Sequence, residues 1–294
     1  MYLADLSSFG RRPATLSYYR QKLVPFLGYL GESGVMEPAQ IQRNHIRVFM
    51  LSLAETHTPG GCAAYWRAIR AFVRFLIREG DLDHNLLEGL RSPRVDQIVQ
   101  KPVPVEDVAA MVAACPKTEA GLRDASIFCV LLDAGLRAGE VLALNVQDVD
   151  FVVGTITVRC AKNRTPRQVA CGAHTRKALV KYLRLRPGRQ PEDPLWTTSL
   201  SDGSRHRLTY AGLRSIVQRR ARKAQVPVPT LHSFRRAYAL EMLRNGCDVM
   251  TLSHMMGHGS LTVLKRYLDL QADDLARVQQ ACSPVDHMLG RRTS

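Results

Sequence analysis

Between Leu231 and Leu270 the chain collects groups that a hydrophobic core avoids. His232, Arg235 and Arg236 come first, then Gly257 and His258, then Tyr267 directly after Lys265 and Arg266. Burying such side chains without partners is costly, so their concentration points to a site rather than to packing. A tyrosine phenol is a nucleophile once it loses its proton. Imidazole trades protons near neutral pH, and a guanidinium grips phosphate oxygens two at a time. The set suits a site that holds a phosphate and presents a nucleophile to it. His232 and Arg235 are three residues apart at the start of an expected helix, so they share a face. The N-terminus of that helix adds N–H donors and positive potential.

Further upstream, Gly135-Leu136-Arg137 precedes Glu140 at the junction of two expected helices. Taken alone, Arg137 reads as an arginine capping a helix end. His254 and His258 have a spacing that would share a helix face for a metal. Gly257 interrupts them and no acidic residue stands between them, so no metal is expected.

The 294 residues suffice for two domains, and a 46% hydrophobic content is that of a globular protein. Against 41 Lys+Arg stand 26 Asp+Glu, a net charge of +15 that points to a polyanionic partner, nucleic acid first. Apolar runs such as 127–132 are too short to span a bilayer, and residues 1–10 lack the pattern of a secretion signal. The chain is therefore expected in the cytoplasm, without a membrane partner. Its 7 cysteines are scattered with no C-x-x-C pair, which argues for reduced thiols.

The elements that must position the site are mostly helices. Leu16, Tyr19, Leu23, Phe26, Leu27 and Leu30 predict a first helix over 13–30, and a second is expected over 38–54. Pro59-Gly60-Gly61 resets the chain before a third helix over 63–79. That helix buries Trp66, Ile69, Phe72, Val73, Leu76 and Ile77, and aligns Arg67, Arg70, Arg74 and Arg78 on its other face. Such a row is either a solvated face or a set of phosphate contacts. A short helix is expected over 85–90, followed by a proline-punctuated linker over 95–104. Residues 1–94 thus form a small, basic, four-helix-type domain, and 105–294 a second, larger one.

In the second domain, helices are expected over 105–114, 122–134, 173–185 and 210–224, the last carrying Arg219 and Arg220. Alternating branched residues predict a β-hairpin over 154–171, whose basic tip holds Lys162 and Arg164 with Arg167 just beyond. Lys162, Arg164 and Arg167 are candidate phosphate contacts, and Leu195-Trp196-Thr197 is a candidate third strand. The fold class is mainly α with a small three-stranded antiparallel sheet.

The order Gly135-Leu136-Arg137-x-x-Glu140, Lys162 in a hairpin, His232-x-x-Arg235, Gly257-His258 and Tyr267 resembles the tyrosine recombinase (phage integrase) family. The likeness spans the second domain. Thr15-x-x-x-Tyr19-x-x-x-Leu23-x-x-Phe26 resembles the family's helical core-binding domain. One departure is the turn around Lys162, where Ala161 and Asn163 replace the family's glycines, so the hairpin's catalytic cation is Lys162 or Arg164.

The resemblance implies site-specific DNA recombination through a 3′-phosphotyrosine on Tyr267. Arg137, Arg235 and His258 would hold the scissile phosphate, His232 would act as general base and Lys162 as general acid, and Glu140 would orient its neighbours. It implies no metal and no nucleotide cofactor. The partner would be double-stranded DNA, bound by Arg67, Arg70, Arg74, Arg164, Arg167, Arg219 and Arg220. Four protomers would assemble on two DNA sites. A tail helix over 271–280 would dock either on a neighbouring protomer or on its own domain. A type IB topoisomerase-like enzyme and a non-catalytic DNA-binding regulator are the alternatives.

Overall fold

The computed structural model describes residues 1–11, 13–95, 101–159, 166–199, 202–257 and 285. It divides into two compact units, Met1–Val99 and Gln100–Ser294. The expected tail helix over 271–280 lies outside the described residues.

In the first unit a short helix α1 (Tyr2–Ser8) precedes α2 (Pro13–Glu32), one element more than the periodicity predicts. Tyr2 anchors it, with its ring 5.4 Å from Tyr19 and 5.0 Å from Phe75 between centroids. Leu23, Phe26 and Leu30 of α2 are buried as expected, but Leu27 is exposed. The second expected helix splits into a 3-10 turn (Pro38–Gln40) and α3 (Arg43–Thr56), because Ile41 and Gln42 are extended. Gln42 caps α3, its N–H donating to His45 Nδ1 at 3.1 Å.

Helix α4 (Pro59–Glu79) starts earlier than expected. Pro59 opens it where a missing N–H is harmless, and the Thr58 hydroxyl accepts from Gly61 N at 3.2 Å. Gly80 ends it in the left-handed conformation. Trp66, Ile69, Val73 and Leu76 join the core while Arg67, Arg70, Arg74 and Arg78 are exposed. Residues 85–90 form turns rather than the expected helix. Asn85 Oδ1 accepts from Leu87 N at 3.1 Å, a local alternative to helical bonding, and Leu86 and Leu87 are buried from that turn.

The second unit is built around α6 (Glu119–Asp133), which follows α5 (Val105–Ala113) and is buried on several sides. After it come the short α7 (Ala138–Ala143), the strands β1 (Val149–Asp150), β2 (Thr155–Val158) and β3 (Arg167–Ala170), and α8 (Ala173–Arg184). Strands β4 (Thr197–Ser199) and β5 (Arg205–Arg207) lead into α9 (Tyr210–Lys223), α10 (Leu231–Arg244) and α11 (Val249–Met256). Helix α6 packs against α5, α7, α8 and α10, and Phe128 stacks on Phe234 across the last of these contacts at 6.1 Å.

The three-stranded sheet is antiparallel in the order β1-β2-β3, with Val149 opposite Ile156 and Val158 opposite Arg167. Its third member is β1, not the expected 195–197 stretch. Leu195 N donates to Leu144 O at 2.9 Å, and Thr197 begins a separate two-stranded sheet with β5. Among the described residues no helix is long and apolar enough to cross a membrane.

Candidate active site

The site begins at the C-terminal end of α6. Gly135 has φ +57, and a Cβ there would lie 2.1 Å from the Tyr238 ring, so only glycine fits both the backbone and the space. The reversal it makes delivers Arg137 to the N-cap of α7. The Gly135 carbonyl accepts from Arg235 Nη1, and Met256 O accepts from Arg235 Nη2. Arg235 is 1% exposed and therefore ties the end of α6 to the end of α11. Tyr238, Ala239, Leu252 and Met256 form a small apolar cluster that seats α11 on α10.

A cation at a helix N-terminus opposes the helix dipole, and Glu140 in the first turn offsets it. Glu140 Oε2 accepts from Arg137 N at 2.9 Å and Oε1 from Arg137 Nη1 at 3.0 Å. Arg167 grips the same carboxylate from β3, Nη1 to Oε1 at 3.1 Å and Nη2 to Oε2 at 2.8 Å. Burial alone would raise the Glu140 pKa. The hydrogen bonds from Arg167 and from the Arg137 backbone outweigh it and bring the pKa down to about 2 from an ordinary 4.5.

A depressed folded-state value means that Glu140 adds stability above pH 4.5 and that this is lost as pH falls through about 2. Between pH 7 and pH 2 the wild type should lose about 2 kcal/mol more than Glu140→Gln in urea unfolding, after allowance for solvent screening. Equal losses would show that Glu140 is not held in this way.

His232 stands in the first turn of α10, whose N-cap Thr230 accepts from Ser233 N at 3.2 Å. Partial burial depresses its pKa below the usual histidine range, and Arg236, Arg235 and Arg137 add to the effect. A histidine so placed is neutral at pH 7 and keeps a ring nitrogen able to accept a proton. Arg137, His232 and Arg235 therefore share one electrostatic neighbourhood, with Glu140 and Arg167 supporting the first of them. Lys162, Arg164, His258 and Tyr267 lie outside the described residues.

Two of the expected DNA-contacting cations are not surface groups. The Arg167 side chain is 11% exposed and turned onto Glu140. Arg220 is 6% exposed and donates to Asp124 Oδ2 from Nε at 2.9 Å, as part of a buried cluster with Arg123. In each case a buried carboxylate draws the guanidinium inward, since an unpaired buried charge is expensive. Arg219 reaches Asp124 at 3.3 Å yet keeps 57% of its side chain exposed. Reading along the sequence missed the support given by Arg167 and the demand that Tyr238 makes on Gly135. The inward-facing alternation of β3 was the one available signal for the former.

The sequence profile of the phage integrase family matches residues 102–273, and that of the phage integrase N-terminal SAM-like domain matches residues 1–80. The chain belongs to the phage integrase family. This family member is a tyrosine recombinase, an enzyme that breaks and rejoins DNA in site-specific recombination. It is 29% identical over 282 residues to the tyrosine recombinase XerC of Oceanobacillus iheyensis, covering 92% of this chain and 90% of that one. In fold it resembles a lambda integrase dimer bound to a COC′ core site, with a TM-score of 0.72 and 16% identity over 92% of this chain and 94% of that one. It also resembles the Tn1549 transposon integrase in complex with circular intermediate DNA, with a TM-score of 0.71 and 17% identity over 95% and 97%.

Proposed function

We propose that this recombinase cleaves each DNA strand by attack of the Tyr267 phenolic oxygen on the scissile phosphorus, giving a 3′-phosphotyrosine and releasing the 5′-oxygen. The phenol proton passes to His232, and Lys162 of the hairpin protonates the departing oxygen. Charge that builds on the non-bridging oxygens is met by Arg137 and Arg235, with a further hydrogen bond from His258. Glu140 holds Arg137 in place. The phosphotyrosine conserves the energy of the broken bond, so rejoining is the same step reversed with the 5′-hydroxyl as nucleophile and needs no nucleotide.

The observation that carries this reading is geometric: Arg235 donates to Gly135 O, two residues before Arg137, and lies on the helix whose first turn holds His232. The two domains expected from the sequence, residues 1–94 and 105–294 joined by the 95–104 linker, would grip the duplex together. Exposed Arg67, Arg70, Arg74 and Arg219 are its candidate phosphate contacts. The assembly would be four protomers on two DNA sites, with the 271–280 tail donated to a neighbour, and the enzyme would work in the cytoplasm. DNA in both structures named above supports the partner.

Arg137→Lys tests the phosphate role. It keeps the charge but loses the two-pronged donor. It should bind a duplex carrying the recombination site as well as wild type does, and cleave it about 100-fold more slowly. Parallel loss of binding and cleavage would assign Arg137 to folding instead.

A further inference from the structure

Arg167 is where three parts of the catalytic unit meet. From β3 its Nη1 and Nη2 take both oxygens of Glu140, and its Nε donates to Met255 O at 3.2 Å. A Cβ at Gly257 would lie 3.2 Å from the Arg167 Cδ and Nε and 3.3 Å from Cζ, so the guanidinium lies close against that glycine. Gly257 has φ +61 and directly precedes His258. The carboxylate that Arg167 grips is the one that holds the backbone N–H and Nη1 of Arg137.

We infer that Arg167 is a positioning residue for strand cleavage. Through Glu140 it sets the guanidinium of Arg137, and through Met255 and Gly257 it sets the chain that leads into His258. Two groups over a hundred positions apart are thereby referred to one rigid side chain. That side chain is carried on β3, the strand that follows Lys162 in the sequence. Only arginine can do this. Filling both carboxylate oxygens and a third, backbone acceptor takes three donors in one plane, whereas lysine supplies a single point charge. A buried ion pair is weak evidence for stability, because apolar side chains often serve as well. What the Arg167–Glu140 pair adds is a defined geometry at Arg137. The inference rests on the reading of Arg137 as a ligand of the scissile phosphate.

The test compares wild type, Arg167→Lys, Arg137→Ala and the double variant Arg167→Gln/Glu140→Gln. The double variant removes the ion pair without leaving a buried charge unpaired, and stands in for Arg167→Lys should that variant unfold. Each is assayed for DNA affinity, melting temperature and cleavage of nicked duplexes. One duplex has an ordinary scissile phosphate and the other a neutral methylphosphonate at that position. Arg167 touches no DNA in this account, so affinity should stay within about twofold of wild type. Cleavage of the ordinary duplex should fall about 100-fold, the scale of effect expected when a charged group is misplaced by an ångström.

The methylphosphonate lacks the charge that Arg137 neutralises, so the penalty of Arg137→Ala should shrink on it and the Arg167 penalty should shrink with it. A purely structural role would leave the Arg167 penalty the same on both duplexes, which would overturn the inference. Cleavage by Arg167→Lys at the wild-type rate would do so too. If the Arg137→Ala penalty itself does not shrink, the reading of Arg137 fails and the inference falls with it.

Discussion

Gly135→Ala is expected to cost about 3 kcal/mol of stability, from one added methyl group. Two independent effects combine. At φ +57 an L-residue is strained by its own backbone. The new carbon would also stand 2.1 Å from Cδ1 and 2.4 Å from Cε1 of Tyr238, far inside contact distance. Tyr238 has little room to yield, since it is 4% exposed and packed with Ala239, Leu252 and Met256. Urea unfolding should show the loss, and the melting temperature should fall by roughly 10 °C. Gly135→Asn should not rescue it, because asparagine tolerates the backbone angle but still meets the ring. In a Tyr238→Ala background, itself destabilised by the cavity, the added cost of Gly135→Ala should shrink to the backbone strain alone. A stability change of Gly135→Ala within about 0.5 kcal/mol would refute the packing described here.

The consequence extends to chemistry. Gly135 O accepts from Arg235, and Arg137 is two residues further on. A shift at this turn therefore moves both proposed phosphate ligands at once. In the same way Met256 O fixes the other end of Arg235, so the end of α11 and the end of α6 share one buried guanidinium. Such sharing lets a site assembled from distant stretches keep its geometry before DNA arrives.

Helices α4 and α6 were legible because their apolar residues recur at helical steps and one face or several are buried. His232 and Arg235 were legible as a pair from type and spacing, whereas Arg137 taken alone read as a helix cap and joined them only through the family resemblance. What stayed hidden depended on partners far along the chain. Whether Arg167 faces out toward a polyanion or inward is settled by Glu140, 27 residues upstream, and Arg220 is drawn in by Asp124, 96 residues upstream. Local pattern carries neither pairing. Strand β1 is two residues long, too short for alternation to register, so the apolar Leu195-Trp196 stretch attracted the strand assignment instead. Helix α1 was missed because it holds no fully buried residue and gains its place through the Tyr2 ring. Residues 85–90 carry helix-like spacing, but the Asn85 side chain satisfies the backbone locally and the turn wins.

The largest effect expected on activity is that of Tyr267→Phe. Removing one phenolic oxygen takes away the nucleophile while leaving the fold and the many-phosphate interface untouched. Two outcomes are therefore separable, unchanged DNA affinity and complete loss of covalent chemistry. The direct measurement uses a duplex bearing the recombination site with a nick just past the scissile phosphate, so that the short 5′-hydroxyl strand diffuses away and the covalent intermediate is trapped. Wild type should give a protein–DNA adduct that survives denaturant and is broken only by proteolysis, with the DNA phosphate mapped to the peptide holding Tyr267. Tyr267→Phe should bind equally well and give no adduct. An adduct from Tyr267→Phe, or none from wild type on a cleavable site, would contradict the account.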